Sequence, residues 1–234
     1  IQASISELVI YGNRSPELGY INPISFFWAQ EHNLGDLDNI LIAADVAIRA
    51  APGFILYNSM LIDELSWNDI FKNWWGNKFS YQIGMYLCSK EIKLPDFRIE
   101  YTITRPWTYT HPDFSYTNRE LTLGSPYGPS SKALYMESFY IPSTKLSIKA
   151  YLEHVQKGVG LGSNILDNYD NRDKNMDWNT NFLLSNHSTK TTFQISVAYI
   201  LSNYLKLQTT FSSDYFNKNE INTNKLLLGL ELEW

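Results

Sequence analysis

Period-two alternation of apolar and polar residues is the main pattern of the chain, and such alternation places successive side chains on opposite faces of a strand. Six segments show it clearly and predict strands: 79–88, 97–104, 146–153, 193–199, 205–211 and 226–234. Weaker alternation predicts four more strands, at 1–11, 38–48, 53–63 and 133–141. The sequence therefore predicts about ten strands, each close to the ~9–11 residues that cross a bilayer at a tilt.

The connections between these segments alternate in length. Short ones are expected at 49–52, 89–94, 142–144 and 201–203, and long polar ones at 12–37, 64–77, 106–132, 157–186 and 215–222. A soluble β-sandwich has no reason to sort its loops this way, whereas bacterial outer-membrane barrels have short periplasmic turns and long extracellular loops. We therefore predict an all-β fold: one domain, 1–234, forming an antiparallel up-and-down transmembrane β-barrel, complete or part of a larger one.

The polar face of the predicted strands carries charges of both signs. A membrane barrel turns its apolar face to lipid and keeps such charges in its lumen, which gives the predicted lumen charges Asp45, Arg98, Glu100, Lys149, Glu153, Lys206, Glu231 and Glu233. Periodicity alone does not say which face is inside, so a soluble barrel with an apolar core stays as the alternative.

The end of the chain favours the membrane interpretation. The last predicted strand finishes on an aromatic residue, Trp234, which resembles the carboxy-terminal signature of bacterial outer-membrane proteins. We therefore expect the bacterial outer membrane as the location, with membrane lipid and the outer-membrane insertion machinery as partners, the latter through this strand.

Composition excludes several other classes. Net charge is −5 and there is no run of Lys or Arg, so the basic stripe of a nucleic-acid binder is missing. Cys88 is the only cysteine, which rules out an internal disulfide. No stretch of ~18 apolar residues predicts a transmembrane helix. The chain starts at Ile1 without an initiator methionine, and we interpret it as a mature form or a fragment.

Two stretches resemble a known family. The first joins Tyr11-Gly12-Asn13, Tyr20-Ile21-Asn22-Pro23 and Glu31-His32-Asn33-Leu34-Gly35-Asp36-Leu37-Asp38-Asn39. The second joins Glu100-Tyr101-Thr102, Arg105-Pro106-Trp107-Thr108-Tyr109-Thr110-His111 and Leu123-Gly124-Ser125-Pro126-Tyr127-Gly128-Pro129. Together they are similar to the carboxy-terminal part of the Wzi-like capsule assembly family. The resemblance implies an outer-membrane β-barrel that binds capsular polysaccharide and holds the capsule at the cell surface. The family's barrel is larger and has an amino-terminal helical bundle, which this sequence does not predict.

Candidate polysaccharide-binding residues concentrate in two of the long loops. Sugars are bound by stacking on aromatic faces, with carboxylates and amides taking the hydroxyl groups, and loops on a rigid scaffold commonly carry function. The candidates are Trp28, Glu31, His32, Trp107, Tyr109, His111, Tyr116 and Arg119. The alternative is that these aromatics pack the loops against each other, and both roles can hold together.

The sequence gives little support for a metal site or for an enzyme. The histidines lack the spacing of a metal site, and the Asp-rich 157–186 loop is better explained as a solvated loop than as a calcium site. We expect no metal, no cofactor and no catalytic residues, because no nucleophile elbow or acid/base signature is visible.

Three functional hypotheses follow: a polysaccharide-binding barrel, a porin-like channel for small solutes, and an enzyme acting on glycans or lipids. Open channels appear at ~16–18 strands, so ten strands favour the first hypothesis over the second.

Overall fold

The computed structural model describes residues 1–12, 15, 17–22, 26–35, 38–66, 68–70, 72–88, 94–119, 121–202, 205–217 and 221–232. Twelve strands lie within this part of the chain: β1 (Gln2–Ile10), β2 (Asn39–Ala51), β3 (Phe54–Glu64), β4 (Lys78–Leu87), β5 (Asp96–Thr104), β6 (Thr117–Asn118), β7 (Leu121–Thr122), β8 (Ser131–Ser143), β9 (Leu146–Gly158), β10 (His187–Ser202), β11 (Leu205–Phe216) and β12 (Ile221–Leu232). Two short α-helices, α1 (Leu18–Ile21) and α2 (Phe27–Leu34), precede β2, and two 3-10 turns, Tyr169–Asn171 and Lys174–Met176, precede β10.

Ten of the strands form one antiparallel sheet in the order β1-β2-β3-β4-β5-β8-β9-β10-β11-β12. Each strand therefore pairs with its neighbour along the chain, apart from the small β6–β7 hairpin inserted between β5 and β8. The predictions of an all-β fold and of ten main strands are confirmed. Within the described residues β1 and β12 do not pair with each other, so the sheet is not closed.

The connections at one end of the sheet are long, with a single exception. Residues 11–38, 65–77, 105–130 and 159–186 join strands at this end, which we call the loop end. The prediction of a long loop at 215–222 is wrong, because β11 continues to Phe216 and β12 begins at Ile221. The polar residues of this segment lie largely at the ends of β11 and β12, where apolar and polar residues alternate only weakly.

One face of the sheet is polar and carries paired charged side chains. Tyr57 Oη donates to Glu100 Oε1 at 2.6 Å, and Arg98 Nη2 donates to the same oxygen at 2.5 Å. The cross-strand register places the other predicted lumen charges that the structure describes on this same face. They are Asp45, Lys149, Glu153, Lys206 and Glu231. Their partners are Ser59 for Asp45, Glu137 for Lys149, Tyr127 for Glu153, and each other for Lys206 and Glu231. Glu233 and Trp234 lie outside the described residues.

The opposite face is apolar and exposed. Ile83 in β4 is 49% exposed and Leu228 in β12 is 73% exposed. Exposed residues on this face continue across the sheet and include Ile5, Val46, Ile48, Leu56, Tyr101, Phe193, Leu207, Phe211, Leu226 and Leu230. Large exposed apolar surfaces of this kind mark sites of interaction with another protein, a ligand or a membrane.

A small buried core lies on the polar side, at the loop end. Leu41 of β2, Tyr109 and Ile165 form it, and Leu8, Ile10, Leu61 and Tyr116 pack against it. The core therefore joins the first three strands to two of the long connections, so it holds the loops down on the sheet.

The helices α1 and α2 were not predicted, because four and eight residues are too few to show a helical period against the aromatic background. α2 ends at Leu34 and is capped by Gly35, whose positive φ of 94° is the usual left-handed helix terminus. Among the described residues, no helix is both long and apolar enough to cross a membrane.

Candidate functional site

Three of the long connections, 65–77, 105–130 and 159–186, pack together into a structure that we call the loop cap. Backbone hydrogen bonds join them in pairs: Trp107 N donates to Gly162 O at 2.9 Å, Trp75 N to Asp177 O at 2.8 Å, and Thr180 N to Asn73 O at 2.9 Å. Backbone groups that are buried need such partners, so the cap is a folded unit built on the sheet.

Arg105 is the cationic centre of the loop cap. Its side chain is almost fully buried, and Nη2 donates to the carbonyl oxygens of Trp74 at 3.0 Å and Thr180 at 3.1 Å. The guanidinium also lies over the rings of Phe182 at 4.8 Å and Phe79 at 5.7 Å, where a cation is attracted to the negative ring faces. Burial lowers the pKa of Arg105 to about 10, so it stays charged and ties all three loops together.

Trp107 and Tyr109 are held inside the loop cap. They are 5% and 1% exposed, and both have left-handed backbone, with φ of 66° and 75°. A side chain at Gly162 would meet the Trp107 ring, and one at Gly124 would meet the Tyr109 ring, each within 3 Å. Strained backbone of this kind persists only where surrounding contacts fix it, and here those contacts are the buried interior of the cap.

A cleft of about 360 Å³ opens beside the cap, at the rim of the sheet. Ile40, Ile42 and Ile62 come from the apolar face of β2 and β3, whereas Asp63 and Lys78 come from the polar face. A single cleft can reach both faces only at strand ends, so it straddles the loop end of β2, β3 and β4. Its other lining residues are Trp28, Glu31, His32, Asp38, Asn39, Glu64, Leu65, Thr110, His111 and Tyr169.

Helix α2 supplies one wall of the cleft. Trp28, Glu31 and His32 are three and four residues apart and therefore share one side of the helix, and the Trp28 and His32 rings are 4.7 Å apart. The helix is anchored to the sheet by the Phe27 backbone N–H, which donates to Glu7 Oε2 at 2.9 Å. Trp28 is 56% exposed, so its side chain is open to solvent.

Lys78, Glu64 and Tyr169 build the opposite wall. Lys78 Nζ is 2.7 Å from Glu64 Oε2, and its side chain is only 3% exposed. The ammonium also lies 4.1 Å from the centroid of the Tyr169 ring and 4.9 Å from that of Trp75. The one lysine of the cleft is therefore already neutralised and covered by aromatic faces.

His111 lies between the cleft and the loop cap. Its Nδ1 accepts hydrogen bonds from the backbone N–H groups of Asp113 and Phe114, both at 3.2 Å, and its ring meets Tyr169 edge-on with centroids 6.2 Å apart. An accepting Nδ1 requires the neutral ring with its proton on Nε2. Burial, with a smaller contribution from the Lys78 charge, lowers the pKa of His111 and favours that same form.

The structure brings together half of the predicted binding residues. Trp28, Glu31, His32 and His111 line the cleft, although they come from two loops far apart in sequence. Trp107 and Tyr109 are buried in the cap, so the alternative role of packing the loops fits them better than surface stacking. Tyr116 is half-buried against Tyr109, with ring centroids 5.9 Å apart, and Arg119 is exposed on the β6–β7 turn outside the cleft.

Several lining residues were missed by the sequence reasoning. Asp63, Glu64 and Lys78 lie at strand ends, and Tyr169 lies in the Asp-rich 157–186 loop, for which the sequence predicts only solvent exposure. The available signal was the position of charged residues where a predicted strand enters a long loop. Within the described ranges, no group of three or more His, Cys, Asp or Glu side chains could hold a metal ion.

No protein-family model matches the chain, and no curated protein matches it significantly.

Replacement of Arg105 should loosen the loop cap. Arg105→Ala removes two hydrogen bonds that a buried charged donor makes to backbone carbonyls, so we expect it to cost about 3 kcal/mol of local stability. Chymotrypsin should then cut the 159–186 loop much faster, as followed by mass spectrometry of the fragments. The control is Arg119→Asn, which removes an exposed guanidinium at a left-handed position that Asn tolerates. Equal cleavage rates in the two variants would contradict the assignment.

The cap should also respond to pH through His111. Because its folded-state pKa lies below the ordinary value near 6.5, the unfolded loop binds more protons between the two values. The contribution of neutral His111 to the stability of the loop cap is therefore complete above about pH 6.5 and decreases as the pH falls below that value. Tyrosine and tryptophan fluorescence, with proteolysis at pH 5 and pH 8, should show loosening at the lower pH. His111→Asn should reduce this response and His187→Gln, at an exposed position, should not; the reverse result would refute the role of His111.

Proposed function

We propose that this chain forms the wall and external surface of a bacterial outer-membrane β-barrel whose rim cleft binds surface polysaccharide. Its role would be to hold that polysaccharide at the cell surface during capsule assembly, as the resemblance to the Wzi-like family implies. The observation that carries the proposal is the position of the cleft: it opens at the loop end of a sheet whose other face is largely apolar and exposed.

The two faces of the sheet support insertion in lipid. Lipid-facing positions of a barrel are apolar, and charged residues are kept on the inner side. Ile83, Leu207 and Leu230 are exposed, whereas Glu100 is buried on the polar face among hydrogen-bonding partners. A soluble barrel with an apolar core would have the opposite arrangement.

The two edge strands set a further requirement. In lipid every backbone N–H and C=O group needs a partner, and only a closed sheet supplies one for all of them. The proposal therefore requires β1 and β12 to pair in the membrane, with each other or with additional strands.

The cleft has the chemistry of a sugar site. Small-molecule clefts combine an apolar lining with a few placed polar groups, and here Ile40, Ile42 and Ile62 supply apolar lining. Trp28 offers an open ring for stacking on the C–H face of a sugar, and the surrounding carboxylates can accept hydrogen bonds from its hydroxyl groups. No role in bond cleavage is assigned to these residues.

The porin-like alternative is less well supported. Tyr57, Tyr86, Tyr135 and Tyr151 lie on the polar face, and the loop cap is built over that face at its loop end. Bulky side chains and a folded cap favour binding at the surface over passage of solutes.

Membrane insertion is tested by two adjacent leucines of β12. Leu228 lies on the apolar face and Leu227 on the polar face, and both are largely exposed. An arginine facing lipid near the bilayer centre costs about 2–4 kcal/mol, so Leu228→Arg should fold into lipid vesicles poorly while Leu227→Arg should fold like the wild type. Urea titration and heat-modifiable gel mobility measure this. If both variants fold equally well, the outer face does not contact lipid.

Polysaccharide binding is tested by two exposed tryptophans. Trp28 lines the cleft, and Trp178 lies outside it at a similar exposure of 60%. With purified bacterial capsular polysaccharides as probes, Trp28→Ala should weaken binding about tenfold, because aromatic stacking is lost, and Trp178→Ala should not. Equal losses in both variants would argue against the cleft, and absence of binding by the wild-type protein would refute the function.

A further inference from the structure

The apolar face of the sheet becomes polar near the loop end. On β9 the outward positions of 146–152 are all apolar, and the next two are His154 and Gln156. The neighbouring strand β10 changes at the same level, because Thr191 lies opposite His154 and Thr189 lies opposite Gln156. A band of polar side chains therefore borders the apolar surface on this face, and we call it the outward polar band.

The distance of the outward polar band from the other end of the sheet is close to a membrane thickness. Leu146 begins β9 at that end, and His154 follows it by eight residues, which is about 26 Å along a strand. At a strand tilt of about 40° this is roughly 20 Å along the barrel axis, near the ~25 Å apolar band of outer-membrane barrels. In a chain that spans the membrane, the outward polar band therefore lies at the level of the lipid headgroups.

Lys132 brings a positive charge into the outward polar band. It lies opposite Gln156 of β9 and opposite Ile103 of β5, so it is on the same outward face. Within the described part of the chain Lys132 takes part in no ion pair. The register gives it no carboxylate neighbour on this face, since the surrounding positions are Tyr81, Tyr101, Ile103, Leu134, His154, Gln156 and Thr189.

The surroundings of Lys132 suit a phosphate group. A lysine that faces lipid destabilises a barrel strongly at the bilayer centre but little at the interface, where phosphates are the anions, and lysine is a common phosphate ligand. The Gln156 amide adds hydrogen-bond donors. His154 Nδ1 is 2.9 Å from Thr191 Oγ1, so Nε2 is the ring nitrogen left for a ligand.

Two exposed tyrosines mark the same level independently. Tyr101 is 40% exposed and Tyr215 is 45% exposed. Both lie in the row of His154, because Leu134 pairs with Tyr101 and His154, and Thr191 pairs with His154 and Tyr215. Tyrosine is enriched where hydrocarbon meets headgroups, so charge and aromatic residues place the interface at one height.

Resting on the membrane insertion proposed above, we propose that Lys132, His154 and Gln156 bind a phosphate group of a lipid in the outer leaflet. The phosphate pairs with Lys132 and accepts hydrogen bonds from Gln156 and His154. Acyl chains of the same lipid lie on Leu134 and Leu152, which are the next outward residues toward the bilayer centre.

The test compares bisphosphorylated lipid A with the same lipid after removal of its phosphates. The whole chain is folded in detergent, and the affinity for each added lipid is measured by native mass spectrometry. We expect the wild-type protein to bind the phosphorylated lipid about tenfold more tightly. Equal binding of the two lipids would overturn the proposal.

Two lysines at similar height on opposite faces separate local binding from overall charge. Lys132→Gln should lower the preference for the phosphorylated lipid about fivefold, the contribution of one lysine near an acidic lipid surface, and Lys132→Arg should keep most of it. Lys190→Gln removes the same charge on the polar face, where Lys190 pairs with Asp214, and should leave the preference intact. Equal losses in Lys132→Gln and Lys190→Gln would show that overall charge determines the preference and that the inference is wrong.

Inorganic phosphate tests whether the ligand is a lipid. Because the acyl chains contribute contacts with the apolar face, a large excess of inorganic phosphate should displace lipid A only weakly. Displacement at equal concentration would show that the site takes free phosphate, and would contradict the choice of a lipid.

The outcomes also separate this inference from the membrane insertion on which it rests. If Leu228→Arg and Leu227→Arg differ as expected above but Lys132→Gln keeps the full preference, insertion stands and the lipid-phosphate site fails. If the wild-type protein does not fold into lipid vesicles, both fail.

Discussion

The whole structure depends on the pleat of one antiparallel sheet, which sends successive side chains to opposite faces. Ten strands in sequential order extend this division across the sheet from β1 to β12. Charges such as Glu100 and Arg98 therefore find partners across the strands on one face, while Ile83 and Leu228 remain exposed on the other. A shift of one residue in register would exchange the two sets, so the pairing of the polar groups and the apolar surface have one common cause.

The loop cap adds a candidate binding site to the sheet. A long loop normally stays in solvent because its backbone groups need partners, and here three loops provide those partners for each other around Arg105. Aromatic faces, backbone carbonyls and close glycine contacts replace the hydrophobic core that the open sheet lacks. The small core of Leu41, Tyr109 and Ile165 then fixes the cap to the strands, and the cleft is the space left between the cap and α2.

Particular residues show why some sequence inferences hold and others fail. Leu226, Leu228 and Leu230 alternate with Leu227, Gly229 and Glu231, and this local pattern predicts a strand and its faces before any contact is known. For Trp107 and Tyr109 the inference from sequence fails. Their composition suggests a sugar-binding loop, yet both are buried, because glycines at 124 and 162 allow distant loop segments to approach their rings. Aromatic content in a loop does not distinguish a binding surface from an interior.

Sequence alone determined the strands, the two faces and the end of the sheet at which the long loops lie, because these follow from a period of two residues and from chain connectivity. Tertiary structure decided which aromatics are buried, that α2 forms a wall, and that Trp28, Glu64, His111 and Tyr169 meet in one cleft. Such a meeting depends on loop packing between residues far apart along the chain, where no periodicity operates. The alternating pattern is a local property of the chain, whereas the cleft exists only after the loops have folded onto the sheet.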